Sequence, residues 1–495
     1  MSKVPRERKE ATLGISFIPV IALVASLSVA VIVFEQDAHV PILIGSAVGV
    51  LIAVFHLGFT WDEIEKGMID SIGSVMQAIL ILAVIGMLIG TWIAGGIVPT
   101  LIYYGLKILS PSFFLISALL LCSIVSLATG SSWTTAGTVG VALIGIAQGL
   151  GISPALAAGC IVSGAYFGDK MSPLSDTTNL APAMAGSTLF DHIKHMIYTT
   201  VLSYGLTAII FIIIGLQYVG KELNVAEING ILDGIKSIYY INPLFLLVPV
   251  ITIGAVAMKI PAIPGLVLGV VLGAVCMIFQ GAGLGEIFNV IQNGTVAASG
   301  HEMVDALLTN GGMQSMMWTI SLIMCAGVFG GILQSTGMMQ SIANKMLSYA
   351  RGTGSLILVT ALSCLFVNVL CADQYLGIAL PGKMFKDEFE DRGLAPRNLS
   401  RVLEDSGTVT SALIPWNTCG ATMANSLGVS TFAYAPFAFF NILSPIVSVI
   451  YGYIGFSIMT LEEDPASPRY KHKMKLKKSN RELDEYTANY QANAN

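Results

Sequence analysis

What this chain has least of is charge. Only 11% of its 495 residues are Asp, Glu, Lys or Arg, less than half of the quarter or so that a soluble domain carries, and the mean hydropathy is +0.76. A water-soluble globular fold is thereby excluded. No basic face with interleaved aromatics is present, so nucleic acid is not an expected partner. The seven cysteines (Cys122, Cys160, Cys276, Cys325, Cys364, Cys371, Cys419) lie in apolar segments without a CxxC, which reads as buried thiols rather than disulfides or metal ligands. The six histidines show no ligand spacing. A nucleophile–base set and a cofactor motif are also missing, so an enzyme is disfavoured and no cofactor is expected. The basic start (Lys3, Arg6, Arg8, Lys9) leads into a long apolar run without a small-residue cleavage site, the pattern of an anchor flank rather than a cleaved signal.

What is present is apolar runs of spanning length, about 20 residues each. They cover roughly 13–34, 41–57, 72–93, 198–218, 243–258, 263–279, 315–333 and 432–458. Two further stretches, 113–150 and 354–385, are interrupted by polar tips, Thr129-Gly130-Ser131-Ser132-Trp133-Thr134-Thr135 and Cys371-Ala372-Asp373-Gln374-Tyr375. Both read as re-entrant hairpins, each followed by a broken helix, 154–180 and 396–422. Segments 97–109 and 338–350 are too short to span and read as interfacial amphipathic helices.

The second half resembles the first. An ungapped shift of 242 superposes Gly95 on Gly337, Cys122 on Cys364, Trp133 on Tyr375, Pro154 on Pro396, Pro173 on Pro415 and Gly186 on Gly428. Repeats with paired broken helices point to a secondary transporter whose site lies near the membrane midplane. The expected fold is therefore an all-α polytopic membrane protein of two inverted repeats, with about ten spanning helices, two re-entrant hairpins and broken helices. The expected division is a cytoplasmic N-terminal tail (1–12), a first transmembrane repeat (13–220), an inter-repeat loop (221–241), a second repeat (242–460) and a basic cytoplasmic tail (461–495). The hairpin exit Ala147–Ser153 is uncharged, whereas its counterpart carries Lys383, Lys386, Arg392, Arg397 and Arg401. The tail adds Arg469, Lys471, Lys473, Lys475, Lys477 and Lys478. Positive loops mark the cytoplasmic side, so both termini are expected inside.

The polar residues within these runs are the candidate site, because an unpaired charge in hydrocarbon is costly and persists only when buried or lining a wet cavity. In Gly168-Asp169-Lys170-Met171-Ser172-Pro173-Leu174-Ser175-Asp176-Thr177-Thr178-Asn179-Leu180, Asp176 is the leading candidate for ion contact. Thr177, Thr178 and Asn179 supply neutral oxygens beside it, and oxygen ligands suit hard cations; Asp176 and Thr178 are the expected Na+ ligands. Asp169 is open between ion contact, pairing with Lys170, and capping a helix. The Ser/Thr/Asn cluster is open to a capping role alone. Ser131, Ser132 and Trp133 at the first tip offer hydroxyls and free N–H groups where an anionic group is stabilised, and Asp373 marks the second tip. In the second broken helix, Glu404 or Asp405 is a candidate proton carrier, against an Arg401–Asp405 structural pair four residues apart. Asn417 and Thr418 occupy the places that match Ser175 and Asp176.

At these residues, Gly130-Ser131-Ser132-Trp133, Gly168 to Asn179, Asp405-Ser406-Gly407 and Pro415-Trp416-Asn417-Thr418, the chain resembles the NhaC-type sodium/proton antiporter family. The likeness covers nearly the whole chain except the ends, and the long motif is the specific part. It implies a secondary antiporter of the ion-transporter superfamily in the bacterial inner membrane, with two inverted repeats divided into a scaffold part and a moving part. Some members exchange sodium for protons; others exchange malate with protons for lactate with sodium. The expected function is thus export of Na+ against H+ by alternating access, with Na+/H+-coupled organic-acid exchange as the alternative. A channel is the different-class reading, to which broken inverted helices are less suited. The coupling ions expected are Na+ and H+. The expected partners are small ions, small carboxylates as an added passenger, and the lipid bilayer, with a homodimer left open.

Overall fold

The computed structural model describes residues 8–34, 36–108, 110–218, 225–258 and 260–465. The basic residues 469–478, the starting residues Lys3 and Arg6 and the first part of the inter-repeat loop lie outside them. The first half runs α1 (Leu13–Leu27), α2 (His39–Ile52), α3 (Trp61–Ser74), α4 (Met76–Ala94), α5 (Ile97–Ile108), α6 (Pro111–Thr129), α7 (Ser132–Thr135), α8 (Val141–Gly149), α9 (Pro154–Met171), α10 (Asp176–Ala185) and α11 (Leu189–Leu216). After α12 (Val225–Ile238) come α13 (Leu247–Ala257), α14 (Ala262–Phe279), α15 (Leu284–Asn293), α16 (Glu302–Leu308), α17 (Met317–Ser335), α18 (Met338–Leu347), α19 (Thr353–Leu370) and α20 (Gln374–Asp391). The chain closes with α21 (Pro396–Leu403), α22 (Val409–Ser411), α23 (Thr418–Leu427), α24 (Thr431–Tyr434) and α25 (Phe439–Ile454). No strand occurs among the described residues.

Large apolar side chains face outward, as a bilayer requires, and charged side chains within the broken helices are buried in the core. Ile21, Val201, Ile213, Ile124 and Phe113 are exposed, whereas Asp169, Lys170, Arg401, Glu404 and Asp405 are buried. Among the described residues six helices are long and apolar enough to cross a membrane, and up to nine if each bent pair counts as one span. The runs α9–α10 and α21–α23, which carry charge, and the short α14 fall outside that count. The pair α3 and α4 bends by 41° and α24 with α25 by 56°, so the spans at 72–93 and 432–458 are broken rather than straight.

The helices are interrupted at both expected tips, and the two halves share their special backbone positions. Gly130 (φ 67) ends α6, and Ala372 (φ 53), 242 residues on, ends α19 in the same left-handed conformation. The next residue caps the following helix in each case: Ser131 Oγ accepts the Thr134 N–H at 3.1 Å, and Asp373 Oδ1 accepts the Leu376 N–H at 2.9 Å. At the breaks, Ser175 Oγ accepts from Thr178 N–H at 3.5 Å and Asn417 Oδ1 from Cys419 N–H at 3.0 Å. Gly151 and Gly393, and Gly186 and Gly428, share positive φ as well. Packing partners recur too: α17 lies on α2 and α3, while α4 lies on α14 and α15. The single shift fails before α17, because residues 294–312, which hold only the short α16, intervene there, and the Gly312 N–H bonds the Gly86 carbonyl of α4 at 2.7 Å.

Three expectations change on packing. The stretch 221–241 holds the helix α12, with Ile231 and Ile235 in the core, and is not a loop. The interfacial α5 buries Ile97, Ile102 and Leu106 against α8 and is covered by protein. Arg397 and Arg401, read as loop charges, are buried clamps: Arg397 bonds Asp464 at 2.5 Å and Arg401 donates to the Ser457 carbonyl at 2.8 Å. The Arg401–Asp405 pair is accordingly not formed.

Candidate functional site

Each hairpin tip seats on the broken helix of its own half. At the first, a Cβ on Gly130 would lie 2.6 Å from the Leu174 carbonyl carbon, so only glycine gives both the left-handed turn and this approach. Asp169 then reaches the tip: its Oδ2 accepts the Ser132 N–H at 3.1 Å and the Ser132 hydroxyl at 2.6 Å. At the second, the Thr418 N–H bonds the Ala372 carbonyl at 2.8 Å, and Asn417 Nδ2 bonds the Asn368 carbonyl at 2.9 Å. The charge that stands at the break in the first half is replaced by amide and hydroxyl in the second.

Between the tips lies a cavity of about 420 Å³. Six of the expected residues line it: Ser131, Ser132, Trp133, Asp169, Asp176 and Thr177. Asp176 opens α10, where the helix dipole favours a negative charge. Its side chain is exposed and has no hydrogen-bond partner among the described residues. The walls also include Gln77 of α4, Ser175, and Gln374 and Tyr375 of the second tip. Sequence reasoning did not single out Gln77, Ser175 or Gln374, although the 242-residue shift carries Ser132 to Gln374 and was the signal that could have found it.

The remaining expected residues lie off the cavity. The Thr178 hydroxyl donates to the Asp169 and Lys170 carbonyls at 3.1 and 3.0 Å, closing the free end of α9. Asn179 Nδ2 bonds the Pro173 and Ser175 carbonyls at 3.0 and 2.7 Å, folding the break itself. These are the freed carbonyls that a helix break must satisfy, and Thr178 and Asn179 do so. Asp373 is buried as the cap of α20, with Oδ2 left without a partner. Asn417 and Thr418 hold the second break to its tip.

Asp405 belongs to a second, fully buried cluster. It forms an ion pair with Lys170, and its Oδ1 also accepts from Thr199 and Ser444 hydroxyls, each at 3.2 Å. Lys170 donates to Ser444 Oγ at 2.9 Å. Lys170 therefore pairs across the halves rather than with its neighbour Asp169. Glu404 completes the cluster: Oε1 accepts from the Thr177 hydroxyl at 3.0 Å and Oε2 has no partner. Glu404 and Asp405 lie in a π-helical turn, Glu404–Thr408, a widening that recurs at functional sites. Thr177, bonded to Glu404 and lining the cavity, links the two clusters.

Apolar helices around paired tips and breaks, with carboxylates gathered at the junction, define a polytopic membrane transporter. The comparisons with known proteins narrow the class. The sequence profile of the Na+/H+ antiporter family matches residues 10–165 and 164–456, and the chain belongs to that family. It is 42% identical to the Na(+)/H(+) antiporter NhaC of Alkalihalophilus pseudofirmus, over 91% of this chain and 97% of that protein. It is 40% identical to the arginine/ornithine antiporter ArcD of Halobacterium salinarum, over 93% of this chain and 95% of that protein. It is 37% identical to the malate-2H(+)/Na(+)-lactate antiporter of Bacillus subtilis, over 86% of this chain and 92% of that protein.

Proposed function

We propose that this protein is a secondary Na+/H+ antiporter that exports Na+ against inward H+ by alternating access. The observation that carries the reading is Asp176, a carboxylate without a protein partner at the rim of a polar cavity where the first broken helix meets both tips. One carboxylate that must hold either a cation or a proton forces exchange, because the two compete for the same charge. Asp176 is the group that alternates, with Thr177 as a neutral ligand. Asp169 stays fixed on Ser132 and shapes the first tip. Thr178 and Asn179 hold the break that presents Asp176, and Asp373, Asn417 and Thr418 set the opposing tip. The Na+/H+ antiporter relatives at 42% and 37% identity support this reading.

The two halves are inverted and both termini lie in the cytoplasm of a bacterial inner membrane, a topology supported by the uncharged exit Ala147–Ser153 against Lys383 and Lys386. In proteoliposomes with an acid interior, external Na+ should collapse the pH gradient, and Asp176→Asn should fold yet lose that response. Retention of full Na+ response by Asp176→Asn would remove the carboxylate from the exchange.

A second reading adds an organic passenger. The cavity of about 420 Å³ is more than twice the roughly 180 Å³ that six waters around an ion occupy at about 30 Å³ each. It falls in the range of about 300–1,000 Å³ typical of small-molecule pockets. Relatives named for malate and lactate, and for arginine and ornithine, accord with such a passenger.

A further inference from the structure

We infer that the organic solute this cavity accepts is a cation, carrying a primary ammonium or a guanidinium, and not a carboxylate anion. The inference rests on the antiporter reading above for its site and departs from it in the charge of the passenger.

A carboxylate passenger needs donors and an opposite charge; apart from the buried Trp133 Nε1, which has no partner, the donors of the two tips are turned to the protein's own acceptors. The Ser132 N–H and hydroxyl at the first tip both point at Asp169 Oδ2, at 3.1 and 2.6 Å. The Thr134 N–H points at Ser131 Oγ. The Leu376 N–H at the second tip points at Asp373. Lys170, the cation nearest the first break along the chain, is fully buried and donates to Asp405 and Ser444. Among the described residues that line the cavity none is basic, whereas two, Asp169 and Asp176, are acidic. A dianion would enter against both, with no opposite charge to offset its desolvation.

Acceptors, by contrast, are in surplus. Asp176 has no partner among the described residues. Gln374 Oε1, in the wall, is buried without one. An ammonium brings three donors and a guanidinium five. Trp133 and Tyr375 add aromatic walls, which attract a desolvated cation at their faces. Asp176 is then the counter-ion for which Na+, H+ and the amine compete.

The test uses the full-length protein in proteoliposomes and in detergent, with agmatine and putrescine as cationic probes and malate and lactate as anionic ones. The expected result is that each cationic probe competes with Na+, raising its apparent KM about two-fold at a concentration equal to the probe's own Kd. Radiolabelled putrescine should also be taken up by counterflow. In detergent, the same probes should raise the melting temperature of the wild type and not of Asp176→Asn. Intact Na+/H+ exchange that no cationic probe inhibits would overturn the inference while leaving the antiporter reading standing. Competition by malate or lactate alone would do the same. Amine uptake without any Na+ response would support the inference and overturn the antiporter reading. An unchanged amine-induced melting shift in Asp176→Asn would overturn the assignment of the counter-ion.

Discussion

Breaking the Lys170–Asp405 pair should destabilise the protein more than any other single change to its polar interior, and replacing both members should not. Both side chains are fully buried. Removing one partner of such a pair typically costs about 3–5 kcal/mol, because the survivor is an uncompensated buried charge, whereas apolar replacement of both is often neutral or stabilising by about 1–4 kcal/mol. The structure orders the two single variants. Lys170→Met leaves the Asp405 carboxylate with two hydroxyl donors, Thr199 and Ser444, so it belongs near the lower end, about 3 kcal/mol. Asp405→Leu leaves the Lys170 ammonium with Ser444 alone, so it belongs near the upper end, about 5 kcal/mol. The double variant should recover most of the loss. At about 1.4 kcal/mol per tenfold change, the singles shift the unfolding equilibrium by roughly 10²- to 10³-fold or more. Unfolding of the purified protein in mixed micelles, followed by circular dichroism as denaturing detergent is increased, gives the three values and their coupling energy. Single variants that each cost less than about 1 kcal/mol, or a double as unstable as the sum of its singles, would refute a buried pair here.

Other consequences are more local. Gly130→Ala should lower the yield of folded protein, by about 1–2 kcal/mol for a left-handed non-glycine residue plus the clash with Leu174; Gly14→Ala, where the new Cβ meets nothing within 4 Å, should be harmless in the same thermal melt. In a background without the native cysteines, Ser153→Cys and Glu390→Cys, both at exposed positions, should label from opposite sides of the membrane, and same-side labelling would defeat the inverted topology. The Ser299 hydroxyl, then the Ser299 and Gly300 N–H groups, hold the Asp305 carboxyl below the usual carboxylate range. A lowered folded-state pKa gives stability that is present above the unfolded value and lost as pH falls through the folded one. Amide exchange at Ser299 and Gly300 should therefore stay slow at mildly acidic pH and rise only below the ordinary aspartate pKa. Exchange that rises at or above that pKa would contradict it.

The sequence by itself determined the class of molecule. Scarcity of charge, runs of spanning length and the interrupted hairpins depend on local composition and need no tertiary partner to be read. Gly130, Ser131 and the Ser172–Ser175 break are legible for the same reason: turns, caps and breakers act through their own backbone. The recurrence at a shift of 242 is likewise a property of order along the chain. Tertiary structure decided what each polar group faces, because burial, pairing and orphaned atoms arise between segments far apart in sequence. Asp169 and Lys170 are neighbours in the chain, yet one turns to Ser132 and the other to Asp405, 235 residues away. Thr178 and Asp176 are two apart, and only Asp176 reaches the cavity. On a helix, residues two apart point to different faces, so the same motif supplies a carboxylate to the cavity and a hydroxyl to its own backbone. The motif could name both; only the fold could separate them.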